Sequence, residues 1–260
     1  MLHYEISGNG KKPLVLLHGF MEDHTIWSDM ESHFSKEFTL IKIDLSGHGK
    51  SENNNAVNSM DFMAEKVKEV IEKLNLNKIN ILGHSMGGYV SLAFAEKFPE
   101  SIESLTLFFS TTLADDEEKK QIRRRSIAVI DENFETFVNA SIPNLFSNNE
   151  KDILEGKIEL AKKIAKSTNK EGVKAAQLGM AERPDRTEIL EKLEAKILII
   201  AGKYDNAVKT ENLLKVLPDK TNIKTYVLDC GHCGHWEKPT ICAEIINTEL
   251  LHNLPKKLVF

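Results

Sequence analysis

At 260 residues, with 41% hydrophobic and 28% charged side chains, the chain has an ordinary globular make-up and sits at the upper end of what one hydrophobic core supports. A formal charge of −5 gives no basis for a nucleic-acid or anionic-membrane partner, and no stretch approaches the ~20 apolar residues needed to cross a bilayer. Met1-Leu2-His3-Tyr4-Glu5 lacks the basic and then apolar run of a signal peptide, and Cys230, Cys233 and Cys242 are too few for a framework of several bridges, so a cytoplasmic protein, monomer or homodimer, is expected.

The elements follow in chain order. Leu2–Ser7 reads as an edge strand, antiparallel to the rest. Leu14–Leu17 and Thr39–Asp44 are apolar runs without alternation, the pattern of strands covered on both faces of a parallel sheet. Helical spacing over Met60–Leu74 precedes a third such strand, Lys78–Gly83. A second helix, Tyr89–Lys97, is closed by Pro99, whose ring cannot continue the backbone ladder. Ser104–Phe109, Lys196–Gly202 and Lys224–Leu228 complete the strands, with Glu211–Val216 helical between the last two. Such alternation predicts an α/β fold with a mostly parallel, doubly wound sheet.

The rhythm breaks over 113–186, where no strand is evident. Leu154, Ile158, Ala161 and Ala165 share one helical face, and Phe134, Phe137 and Val138 make a shorter one. A helical cap is therefore expected over 113–186, inserted into a core built from 1–112 and 187–260. Between Asp115 and Arg186 there are 14 Lys/Arg and 14 Asp/Glu, a balance that argues against a surface for a polyanion.

Chemistry concentrates at the strand ends. Gly83-His84-Ser85-Met86-Gly87-Gly88 joins a predicted strand to a predicted helix. A serine hydroxyl is a weak nucleophile and must stand clear of the backbone near a base. A sharp turn achieves this, and leaves room only for small residues two before and two after the serine. The helix aims its first amides at the site, which makes the Met86 N–H a candidate oxyanion donor. His18-Gly19-Phe20 follows an earlier strand and offers the Phe20 N–H as a second. Asp44, opening Asp44-Leu45-Ser46-Gly47-His48-Gly49-Lys50-Ser51, reads as a structural acceptor of backbone N–H bonds. Asp205 and His232 each follow a later strand, and the order Ser85, Asp205, His232 is one of the known orders of a Ser-His-acid triad.

Taken together, His18-Gly19-Phe20, Asp44 to Ser51, Gly83 to Gly88, Gly202 to Asp205, and Gly231-His232 to Glu237-Lys238-Pro239 resemble the motifs of the α/β-hydrolase fold family, in its single-domain form with a helical cap. The resemblance implies a serine hydrolase of a small carboxylic ester or lactone, with Ser85 as nucleophile, His232 as base, Asp205 as acid and Phe20 and Met86 as oxyanion donors. In the family pattern the base stands five residues before the glutamate, which selects His232 over His235. His84, Tyr89 and Trp236 are expected to contact substrate.

No cofactor and no metal is expected. Cys230, His232, Cys233 and His235 resemble a metal cluster, but four ligands within six residues leave little chain for tetrahedral convergence. The same machinery also serves carbon–carbon bond hydrolases and enol-lactonases, and Ala181-Glu182-Arg183-Pro184-Asp185 is similar to a stretch of the latter. A non-catalytic small-molecule receptor on this fold is the alternative of a different class.

Overall fold

In a computed structural model of the chain the described residues are 1–149 and 151–251; Glu150 and 252–260, which fall within the expected insertion and core, lie outside them. The elements in order are β1 (Tyr4–Ser7), β2 (Lys12–Leu17), α1 (Ser28–Glu31), β3 (Phe38–Ile43), α2 (Met60–Lys73), β4 (Ile79–His84), α3 (Met86–Lys97) and β5 (Ile102–Phe108). The helices α4 (Glu117–Ser141), α5 (Glu155–Ser167), α6 (Lys170–Glu182) and α7 (Thr187–Lys192) follow, and then β6 (Lys196–Gly202), α8 (Thr210–Lys215), β7 (Ile223–Leu228), α9 (Gly234–Glu237) and α10 (Pro239–Leu251).

The strands form one seven-stranded sheet in the order β1-β3-β2-β4-β5-β6-β7. β1 pairs antiparallel with β3, Tyr4 facing Ile43, and every other pairing is parallel. The apolar runs lack alternation because both faces are buried. Val15 and Leu17 join one apolar layer with Met63, Val67 and Phe94 of α2 and α3, whereas Leu14 and Leu16 join the other with Trp27, Ile246 and Leu250. Truncating one of these fully buried leucines to alanine costs about 2–5 kcal/mol.

The helix after β4 begins at Met86 rather than at Tyr89 as the sequence suggested. Gly87 and Gly88 are poor helix formers in isolation, but the sharp turn at Ser85 delivers the chain directly into a helix packed on the sheet, and tertiary packing outweighs propensity. The expected Met60 helix starts as read, with Ser59 Oγ accepting from the Phe62 N–H at 3.1 Å.

Among the described residues, the stretch between β5 and β6 holds the four helices α4–α7 and no strand. α4 is broken at Asn133 (φ −154°, ψ 87°), whose side-chain oxygen caps the following turn by accepting from Thr136 N–H at 2.9 Å. Leu154, Ile158, Ala161 and Ala165 are all buried along one face. This stretch is seated on the loop after β3 by glycine contacts: a Cβ on Gly172 would lie 2.1 Å from the Gly47 carbonyl oxygen. Its two ends are clamped by Asp115, which pairs with Arg183 at 2.9 Å, while Arg186 reaches Asp61 and Glu96 at 2.8 Å each. Among the described residues no helix is long and apolar enough to cross a membrane.

Candidate active site

Ser85 caps the turn between β4 and α3 with φ 50° and ψ −113°, a left-handed backbone that costs a non-glycine residue about 1–3 kcal/mol. Surrounding bonds hold it there. Its N–H donates to Phe108 O at 3.0 Å, and its carbonyl accepts from Ser110 Oγ at 2.8 Å and from Gly88 N–H at 2.9 Å. The need for small neighbours is literal: a Cβ on Gly83 would meet Gly87 O at 2.2 Å, and one on Gly87 would meet Leu17 O at 2.4 Å.

Gly19 lies against the same turn, where an added Cβ would stand 3.2 Å from Ser85 Cβ. Among the described residues, neither the Phe20 N–H that follows it nor the Met86 N–H donates to a protein acceptor. Two uncommitted amides beside a half-buried hydroxyl suit a developing oxyanion.

Asp205 and His232 meet across the ends of β6 and β7. His232 Nδ1 lies 2.7 Å from Asp205 Oδ2, with both side chains almost fully buried. Asp205 is itself oriented, since its Oδ1 accepts from the Ala207 and Val208 amides at 2.8 Å each. His232 is fixed through its backbone too: its N–H donates to Leu145 O at 2.7 Å, and its carbonyl accepts from His84 Nε2 at 3.0 Å. Because His84 adjoins Ser85, this last bond ties the serine turn to the imidazole loop. Glu237 completes the loop by accepting from Gly231 N–H at 2.8 Å and from Cys233 N–H and Ser147 N–H at 3.1 Å each.

Asp44 is fully buried and accepts from the His24 and Lys50 amides at 2.7 and 2.9 Å, the structural role expected of it. The three residues expected to contact substrate are all buried, their rings packed against protein. Both ring nitrogens of His84 are taken, by Glu22 and by the His232 carbonyl. The Tyr89 ring is buried beneath Arg183, whose guanidinium carbon sits 4.0 Å from the ring centroid. Trp236 is buried and stacked on Phe146, the rings inclined by 9°.

Cys230, His232, Cys233 and His235 do not converge as ligands: His232 belongs to Asp205, and His235 turns toward Glu22, 3.8 Å away. Burial pushes all three thiols upward, so they stay protonated and inert. Among the described residues the atoms of two other groups are near enough to surround an ion, His3 with His24 and Asp44, and Glu22 with His84 and His235. In the first, two imidazole–carboxylate contacts of 2.8 and 3.0 Å are hydrogen bonds as they stand. Glu22, Ser110 and Leu145 carried no signal in the sequence, since none belongs to a local motif. Glu237 did, through its distance from His232.

The sequence pattern described as the alpha/beta hydrolase fold matches residues 12–239. The chain belongs to the α/β-hydrolase fold family. Among solved structures, this family member is similar to a thermophilic esterase from Thermogutta terrifontis, determined with malate bound, at 32% identity and a TM-score of 0.90 over 96% of this chain and 93% of that one. It is 27% identical, over 91% of its length and 86% of the relative's, to the 2-hydroxy-6-oxononadienedioate/2-hydroxy-6-oxononatrienedioate hydrolase of Escherichia coli K12. The enol-lactonase of Burkholderia xenovorans LB400 shares the fold at 21% identity, with a TM-score of 0.87 over 96% of each chain.

Proposed function

We propose that this α/β-hydrolase family member is a serine hydrolase of small carboxylic esters or lactones. The observation that carries the reading is the oriented Asp205–His232 pair, 2.7 Å apart, bonded through His84 to the strained turn that presents Ser85. Ser85 Oγ attacks the substrate carbonyl carbon while His232 Nε2 takes the hydroxyl proton, and the carbonyl π electrons become an oxyanion facing the Phe20 and Met86 amides. Asp205 holds the imidazole in the tautomer whose Nε2 is free, and stabilises its cation. Collapse of the oxyanion breaks the carbon–oxygen bond, and the leaving alkoxide takes the proton from His232. Water then adds to the acyl-enzyme, giving His232 a proton on attack and returning it to Ser85 Oγ as the acid leaves.

The 32% identical esterase supports the ester reading over carbon–carbon cleavage. So does charge. The Escherichia coli relative is named for a dienedioate, whereas the two buried arginines of this chain's helical stretch are spent on protein carboxylates, Arg183 on Asp115 at 2.9 Å and Arg186 on Asp61 and Glu96 at 2.8 Å each, and Arg123 also binds Asp115. Carbon–carbon hydrolysis of a dicarboxylate is the second reading. A cytoplasmic location is proposed on the three buried, unpaired cysteines.

The deciding experiment sets p-nitrophenyl esters of rising acyl length beside a lactone series and a 2-hydroxy-6-oxo-dienoate. Ester or lactone turnover, lost in Ser85→Ala, is expected. Turnover of the dienoate alone would replace the ester reading with the second one. Undiminished activity in Ser85→Ala would end the serine mechanism.

A further inference from the structure

Beneath the proposed triad lies a carboxylate that the reaction itself does not use. Glu22 Oε2 accepts from the Gly19 N–H at 2.6 Å and faces His84 Nδ1 at 2.8 Å. On its far side His84 Nε2 faces the carbonyl of His232 at 3.0 Å. A carbonyl only accepts, so Nε2 carries a proton, and a second proton must lie between Nδ1 and the carboxylate. His84 and Glu22 therefore share one proton and form a pair with no net charge, with side chains 1% and 8% exposed.

We propose that Glu22 is a positioning residue that sets the oxyanion amide and the base together. One oxygen fixes the Gly19 peptide just before the Phe20 N–H, and through His84 it fixes the backbone of His232. The inference rests on the reading of Ser85 and His232 as catalytic.

The electrostatics put the shared proton on His84, as an imidazolium beside a carboxylate. Burial pushes the Glu22 carboxyl up, but the His84 charge and hydrogen bond outweigh it and hold the group at about 2. Burial likewise opposes the charge on His84, and Glu22 overcomes it, raising the imidazole. His235 also faces Glu22 from the α9 side. It is fully buried, neither of its ring nitrogens has a hydrogen-bond partner, and burial holds it far below the usual histidine range, so it stays neutral. Among the groups that face Glu22, which include His18, His84 has the largest charge effect on it and is its hydrogen-bond partner. The nitrogens of His84 and His235 and a Glu22 oxygen also lie within 4.8 Å of one another, close enough to surround an ion. Both contacts of His84 are nonetheless hydrogen-bond lengths and are satisfied by protons alone.

Glu22→Ala and Glu22→Gln separate positioning from mere filling. The glutamine isostere fills the same space and its carbonyl still accepts from the Gly19 N–H, but the oxygen that Gly19 and His84 share no longer carries the charge that pairs with the imidazolium. Glu22→Ala is expected to lower kcat by about a hundredfold per titrated site with KM within about threefold, and to weaken a trifluoromethyl ketone inhibitor in parallel, whereas Glu22→Gln loses no more than about tenfold. Sites are counted with a fluorophosphonate, and folding is followed by urea unfolding. If the alanine variant fails to fold, Glu22→Asp replaces it; its carboxylate is one methylene short of spanning both partners, and the same loss in kcat is expected. Wild-type kcat per titrated site in the variant that folds would overturn the proposal. So would stoichiometric zinc in the purified protein that disappears in His235→Ala. Retained activity in Ser85→Ala would instead bring down the underlying reading, and the two failures are distinct.

Discussion

The amide of His232 donates to the carbonyl of Leu145, 2.7 Å away, so the proposed base is held by the helical stretch between β5 and β6 as well as by the sheet. Glu237 spans the same junction, joining Gly231 and Cys233 on one side to Ser147 on the other. Replacing it with glutamine points an amide N–H at one of these buried donors. Glu237→Gln is expected to cost about 1–3 kcal/mol in urea unfolding and to lower kcat more than it raises KM. A variant with unchanged kcat would show that the loop is held without this carboxylate.

The backbone at Ser85 stores strain that only a side chain suffers. Ser85→Gly is expected to unfold at higher urea concentration than Ser85→Ala, by about 1 kcal/mol, since both lack the hydroxyl but only glycine relaxes at φ 50°. Equal stability of the two variants would remove the strain from the account.

Asp115 sits almost fully buried between Arg183 and Arg123. Burial pushes its carboxyl up, and the Arg183 hydrogen bond and Arg123 charge hold it below the usual range instead. Asp115→Asn leaves two guanidiniums uncompensated and is expected to destabilise by about 3–5 kcal/mol. Glu188→Gln, at an exposed pair with Lys192, is expected to leave the urea midpoint in place. Similar midpoints for the two variants would mean that Asp115 does not clamp the helical stretch.

The Glu22–His84 pair gives stability a definite pH window. Glu22 is held at about 2 against an ordinary value of 4.5, so its contribution is present above 4.5 and is lost as pH falls toward 2. His84 is raised above 6.5, so its share is complete below 6.5 and is lost as pH rises through the elevated value. His18 and His235 face Glu22 as well, and Asp205 acts on His84. Wild type should therefore exceed Glu22→Gln in urea stability most clearly at about pH 5–6, with the gap closing toward pH 3 and on the alkaline side. A gap constant from pH 3 to 8 would count against an ionised pair.

Much of the fold was readable because parallel strands buried on both faces leave uninterrupted apolar runs, as in Leu14–Leu17 and Lys196–Gly202. The Asp205–His232 contact was foreshadowed in the same way, through strand ends and chain order. What stayed hidden depended on distant partners. Glu22 joins His84 across 62 positions, and Leu145 reaches His232 from a helical stretch whose packing directions no periodicity reveals. The partners of the His84 and Tyr89 rings were hidden as well, because closeness along the chain says little about which side of a sheet or helix a ring occupies.

Gly47 and Gly172 touch backbone to backbone, each lying where the other's first side-chain atom would go. Neither position is therefore free to drift alone: any replacement at one collides with main chain at the other, and no compensating change in side chain can make room. The two sites are locked into a reciprocal epistasis, in which the route to any other residue pair passes through an ill-seated α6. Variation in this region is thereby channelled toward the outward faces of the helices, with the seat itself held constant.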